Sequence, residues 1–239
     1  MSDTLLALET STEACSVALC HAGAYFQRYE LAPQQHAQRV MPMIDAVVAE
    51  AGITVQQVTG LAYAHGPGSF TGIRVGAGFI QGIAMGTGLR VAGVSTLAAL
   101  AHRASREQGN QAVIASLDAR MQEVYVAAYR VAASSIVEAV LPDCVTRPDA
   151  VALPLDAAQA WVGVGSGWTA CDGVLNQRYA SAMTRIDATL TPHALDVLML
   201  AQDMFARGDA LPAAEAMPVY LRDKVALTEA ERAARKPST

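Results

Sequence analysis

Short apolar runs alternate with stretches of helical rhythm along this chain, and the alternation predicts its elements in order. Residues 4–11 form an apolar run ending in Glu9-Thr10-Ser11-Thr12, residues 14–20 a second and residues 25–31 a third. This reads as an antiparallel meander entered through a polar turn. From residue 36 the rhythm changes: Val40, Met43, Ile44, Val47 and Val48 share one helical face, and Gly52 follows as a stop, so a helix is expected over 36–50. Pro42 lacks a donor and suits only a first turn or a kink, which places the start of the regular part near Met41. Residues 58–64 and 91–94 predict two further strands, and Ser95 is placed to cap a helix through Arg106.

Between those strands lies His65-Gly66-Pro67-Gly68-Ser69-Phe70-Thr71-Gly72-Ile73-Arg74, continued by an apolar pattern through Gly86. Gly66-Pro67-Gly68 forces a turn, and Ser69 or Thr71 can cap the helix that follows. Gly76, Gly78 and Gly82 inside that helix each cost about 1 kcal/mol relative to alanine, so close packing must compensate. Gly68, Gly72 and Gly76 step by four, as do Gly78, Gly82 and Gly86, a spacing that admits another backbone. The neighbour is either internal or a second chain. A phosphate-binding P-loop is excluded because Ile73 and Arg74 stand where Lys and Ser or Thr are required. A membrane span is excluded because Arg74 and Arg90 leave only 15 residues between them, short of the roughly 20 needed.

After a polar break at 107–111 the pattern restarts, with strands expected at 113–117 and 123–129 around Asp118. Setting Asp118 against Glu9 aligns the two strand–acidic turn–strand units, which suggests an internal duplication. A strand at 161–164, a Gly163-x-Gly165-x-Gly167 turn and a helix from Thr191-Pro192 to Arg207 complete the second half. The economical reading is two α/β domains, 1–108 and 109–227, with a flexible tail at 228–239.

Composition adds a partner to this picture. Hydrophobic residues make up 52% of the 239 and charged residues 16%, so the surface is poor in charge, which suits a chain with a frequent or permanent partner. The net charge is −5, lysine occurs only at Lys224 and Lys236, and the other fifteen of the 17 basic residues are scattered arginines. Contact with RNA is therefore expected only through a more basic partner. Cys15, Cys20, Cys144 and Cys171 have neither zinc nor Cys-x-x-Cys spacing and read as buried thiols in a reducing cytoplasm. The first residues carry no basic segment and Glu9 interrupts the apolar run, so no secretory signal is expected.

The segments at 6–19, 36–42 and 65–74 together resemble the bacterial tRNA threonylcarbamoyladenosine biosynthesis family TsaB, also called YeaZ. Gly93-Val94-Ser95-Thr96-Leu97, Asp118-Ala119-Arg120-Met121, Gly165-x-Gly167-Trp168 and Pro218-Val219-Tyr220-Leu221-Arg222 match later family blocks in order. The resemblance implies an α/β, two-domain actin-like or sugar-kinase-like (ASKHA) fold, each domain a mixed sheet flanked by helices with duplicated topology. It also implies a cytoplasmic, non-catalytic scaffold that binds TsaD, the transferase of the threonylcarbamoyl group, and through that complex the ATPase TsaE. ATP and a divalent metal are then held by the partner subunits, with no cofactor expected on this chain alone.

Two readings of different class stay open. In the first, the chain docks TsaD through His36, Arg39, Val40, Met43 and Val47 of one helix and Gly72, Arg74, Gly76, Gly78 and Gly82 of the other, and pairs with itself when isolated. In the second, it is an independent ATP-using kinase relative or a glycoprotease-like metallopeptidase. The resemblance implies a metal-binding His-x-x-x-His pair in the catalytic relative, whereas here His36 is followed four positions later by Val40. His21, His65, His102 and His193 have no partner at ligand spacing either. Glu9, Thr10 and Asp118 occupy the turns that face nucleotide and magnesium in actin-like ATPases, and strand-end carboxylates equally cap turns.

Overall fold

The computed structural model describes residues 4–132, 137–155 and 160–222; the expected tail at 228–239 lies outside them. Three antiparallel strands, β1 (Leu5–Glu9), β2 (Ala14–His21) and β3 (Ala24–Leu31), open the chain. Helix α1 (His36–Glu50) leads to β4 (Gly60–Gly66), and α2 (Phe70–Thr87) leads to β5 (Val91–Ser95). Both crossovers return parallel, giving the sheet order β3-β2-β1-β4-β5. β1 reads as a continuous apolar run because both of its faces are covered. Leu6 and Leu8 meet α1 and α2 in one core cluster, while Leu5 and Ala7 enter another on the opposite face.

The second half repeats this plan. After α3 (Thr96–Gln108) come β6 (Ala112–Arg120), β7 (Glu123–Val131), β8 (Val137–Thr146), β9 (Trp161–Val164), the short α4 (Val174–Tyr179) and β10 (Arg185–Asp187). β7 pairs antiparallel with both β6 and β8, β9 lies parallel to β6, and β10 parallel to β9. Each sheet therefore places its first strand at the centre, flanked by its second and third on one side and its fourth and fifth on the other. This is the duplicated actin-like plan.

The helices do not respect the cut at residue 108. α5 (Ala194–Arg207) packs Ala194, Leu195, Val197, Leu198 and Ala201 against Leu5, Ala7, Ala18 and Ala62 of the first sheet. α3 packs Leu97, Leu100, Ala101 and Ala104 on Val113, Ala115 and Ala127 of the second. After α5 the chain stays with the first sheet, where Leu211 bridges Val91 on the edge of β5. The segment 109–227 thus supplies a helix and an edge bridge to the first domain.

Several local expectations differ from what forms. α1 is regular from His36, with Pro42 in its interior. Pro42 and Gln38 lie on the exposed face, where solvent is available to the carbonyl that proline, lacking an N–H, leaves without its helical bond. α5 begins at Ala194 and is capped by the His193 ring, whose Nδ1 accepts from the Leu195 N–H at 2.9 Å, so Thr191-Pro192 precedes the helix. Cys15 and Cys20 are buried as expected, but Cys144 and Cys171 are half-exposed. β8 and β10, both sheet edges, and α4 had no clear pattern in the sequence.

Candidate functional site

Ser69 caps α2 by accepting a bond from the Gly72 N–H, and Gly88 closes the helix with φ near +73°. Between these ends the glycines form two stripes with opposite surroundings. A Cβ on Gly68 would overlap the Ser11 carbonyl, one on Gly72 the Thr10 carbonyl, and one on Gly76 would stand 2.7 Å from the Thr10 hydroxyl. Those three let α2 press on the turn between β1 and β2. Thr10 Oγ1 donates to the Gly72 carbonyl at 2.8 Å, and the Ser69 N–H donates to the Ser11 carbonyl at 2.7 Å. Among the described residues, nothing lies within 4 Å of where a Cβ on Gly78, Gly82 or Gly86 would sit.

The ten expected docking residues therefore divide. Val40, Met43 and Val47 belong to the core formed with β1 and β4, and Gly72 and Gly76 face Thr10, so these five are structural. His36 is buried and its Nε2–H donates to the Ala14 carbonyl at 3.1 Å, fastening the start of α1 to β2. Arg39, Arg74, Gly78 and Gly82 remain at the surface. Arg39 is engaged by Glu30. The outer face of α2 is instead continued by Met85, which is 80% exposed, and by the half-buried Val75, Phe79 and Ile83. No charged residue interrupts it between Arg74 and Arg90.

A cleft of about 930 Å³ separates the two domains. On one side it is lined by Ser11, Thr12 and the start of α2; on the other by Asp118, Arg120 and Met121 of the β6–β7 turn. Residues 219–222 of the C-terminal segment also line it. Sequence reasoning assigned no role to Phe70, Tyr220 and Arg222 at this cleft, although the family block at 218–222 marked two of them.

Glu9 and Thr10 do not reach the cleft. Glu9 is fully buried and accepts from the Ser11 N–H at 2.7 Å and from the Ser11 hydroxyl, while Oε2 has no hydrogen-bond partner among the described residues. Burial pushes its carboxyl up to about 7, although the Ser11 bonds oppose the shift. Asp118 does line the cleft, but its oxygens are engaged by the Arg120 N–H at 2.7 Å and guanidinium at 2.9 Å. Gly163 and Gly167 make room for the Trp168 ring and Ser116, a packing role rather than a phosphate cradle. Glu9 is thus sealed from the cleft, and Asp118 enters it paired with the exposed Arg120. Among the described residues, no group of three or more His, Cys, Asp or Glu could hold a metal ion, and no helix is long and apolar enough to cross a membrane.

A family profile described as TsaD, tRNA N6-adenosine threonylcarbamoyltransferase, matches residues 29–230. The tRNA threonylcarbamoyladenosine biosynthesis protein TsaB of Escherichia coli K12 is 40% identical over 223 residues, covering 93% of this chain and 96% of that protein. Its namesake from Haemophilus influenzae is 40% identical over 236 residues, with 93% and 94% covered. A solved structure titled as YeaZ from Pseudomonas aeruginosa superimposes with a TM-score of 0.83 at 44% identity, covering 92% of this chain and all of that one. Near-complete coverage at this identity, on a shared fold, establishes that the chain belongs to the TsaB (YeaZ) family.

Proposed function

We propose that this chain is a non-catalytic scaffold and activator in threonylcarbamoylation of the adenosine next to the anticodon, in tRNAs reading codons that begin with adenine. It acts by docking on TsaD and, through that complex, on TsaE. The observation that carries the reading is the outer face of α2, apolar and uncharged, with three glycine positions open to solvent. Such a face lets a partner helix approach at backbone distance. The names of the relatives supply the pathway, and the net charge of −5 favours contact with tRNA through the partners. ATP and a divalent metal belong to those partners in this reading, and the setting is the cytoplasm. In the isolated chain the same face pairs with a second copy.

Substituting leucine at both Gly78 and Gly82 tests the reading. The variant is expected to keep the wild-type circular dichroism spectrum, to fail to co-purify with TsaD, and to lose tRNA modification in a reconstituted system. Full modification by the folded variant would overturn the docking role. Purified chain alone is expected to turn over neither ATP nor peptide. Turnover that disappears with Asp118→Ala would favour the enzyme reading instead.

A further inference from the structure

Residues 216–222 are bonded to both domains within seven positions. On the first-domain side, Gln81 Nε2 donates to the Ala216 carbonyl at 2.8 Å and the Tyr63 hydroxyl to the Met217 carbonyl at 2.9 Å. The Val219 N–H donates to the His65 carbonyl at 2.8 Å. Gly66 makes that approach possible, since it has φ near +117° and a Cβ there would stand 2.8 Å from the Val219 carbonyl oxygen. The Tyr220 hydroxyl then accepts from Arg74 Nε at 2.8 Å, and the Arg74 guanidinium lies 3.4 Å over the Phe70 ring and 5.3 Å from the Tyr220 ring.

Two residues later the bonds belong to the other domain. Arg222 donates to Glu123 Oε2 through Nε at 3.0 Å and Nη2 at 2.5 Å, and Nη2 also reaches the Ala119 carbonyl at 3.0 Å and the Arg120 carbonyl at 3.3 Å. These carbonyls belong to a turn of unusual backbone. Arg120, Met121 and Gln122 have φ of 61°, 57° and 64°, a left-handed conformation that residues with a Cβ adopt singly and at a cost. Arg222 therefore holds a strained turn in place, and its planar fork meets the single Glu123 Oε2 through two nitrogens.

Val219, Tyr220, Leu221 and Arg222 all line the cleft, whereas no residue of α3 or α5 does. The helices that cross between the sheets thus join the domains away from the cleft, and the C-terminal segment joins them at the cleft. We propose that residues 216–222 are a strap that ties the two walls of the cleft together, with the Arg74–Tyr220 contact as its anchor and Arg222 as its latch. Release of Arg222 frees the β6–β7 turn and lets the domains part at the cleft. The strap is a property of the chain by itself and does not depend on the docking reading.

Hydrogen–deuterium exchange on the isolated full-length chain tests it. Arg222→Ala is expected to speed exchange of the peptide over 117–124 and of the facing peptide over 68–72 by at least about tenfold, with peptides from β1, β4 and β9 unchanged. Arg222→Lys should fall between, because an ammonium keeps the charge but lacks the planar fork that meets Glu123 through two nitrogens. Wild-type exchange in both cleft peptides would overturn the proposal. A uniform acceleration through both sheets would overturn it as well, since Arg222 would then support global stability rather than a latch.

Discussion

Glu9 combines complete burial with a hydrogen-bonded oxygen on one side and an orphaned one on the other, and its titration is coupled to folding. Its carboxyl titrates at about 7 in the native chain, against an ordinary value of 4.5. Between those values the native state binds a proton that the unfolded state has released, so this group's stabilising contribution is full below about pH 4.5 and is lost as pH rises through 7. The difference corresponds to about 3 kcal/mol. His65 and His193 act in the opposite sense: burial pulls both down to about 4, so the unfolded state protonates first and stability falls as pH drops below 6.5. The wild-type profile is the sum of these opposed terms, and Glu9→Gln separates them. The variant is expected to gain roughly 2–3 kcal/mol over the wild type at pH 8 and to lose that advantage by pH 5. Urea unfolding at the two pH values measures it, and an equal difference at both would exclude Glu9 as the titrating group. The carboxylate was visible in the sequence as an acidic turn shared with Asp118. Its burial was not, because only the approach of α2 through Gly68, Gly72 and Gly76 seals the turn.

Helix α2 shows how much a glycine spacing can and cannot convey. Both stripes step by four, and spacing alone assigns neither to the inside. The apolar residues settle it: at about 100° per residue, Ile73, Ala77, Ile80 and Ala84 define the buried face, Gly76 lies near its margin and Gly82 lies opposite. Stability measurements should divide accordingly. Gly78→Ala and Gly82→Ala meet open space, so each is expected to stabilise the isolated chain by up to about 1 kcal/mol through helix propensity. Gly72→Ala drives a methyl group into the Thr10 carbonyl and is expected to destabilise by about 1–3 kcal/mol or more, despite the same gain in propensity. Thermal unfolding of the three variants decides the matter, and a stabilised Gly72→Ala would contradict the close approach of α2 to the β1–β2 turn. Strand β8 was illegible for a different reason. It is a half-buried edge strand, Pro142 interrupts its pattern, and its register against β7 shifts between Val126 and Tyr129, irregularities that an edge tolerates and a central strand does not.

At the scale of the whole molecule, the two sheets are coupled by exchanged helices. The amphipathic faces of α3 and α5 could be read from the sequence, but an apolar face does not say which sheet it covers. The α5 assignment is fixed by distant contacts, such as the Ala194 N–H donating to Ser16 Oγ at 2.9 Å. Where the two helices meet, Asp196 is fully buried and accepts from Arg106 Nε and Nη2 at 2.9 Å each and pairs with His102 Nδ1 at 2.6 Å. Burial alone would raise the Asp196 carboxyl, but the bonds from His102 and Arg106 outweigh it and hold the group below the usual carboxylate range. Its stabilising contribution is therefore present above the ordinary carboxylate pKa and lost on strong acidification. Asp196→Ala leaves Arg106 and His102 facing an empty site. Because Arg106 is partly exposed, the cost should lie near the lower end of that for a broken buried pair, about 3 kcal/mol. The exchange of helices also predicts how that loss is expressed. Trp161 and Trp168 report only on the second sheet, whereas far-UV circular dichroism reports on both. If the domains were independent, removing Asp196 would separate the two signals. Since α5 is a core layer of the first sheet and meets α3 of the second, both probes should show one coincident urea transition in the wild type and in Asp196→Ala, displaced to lower denaturant in the variant. Two resolved transitions in the wild type would show that the crossed helices do not bind the domains into one cooperative unit.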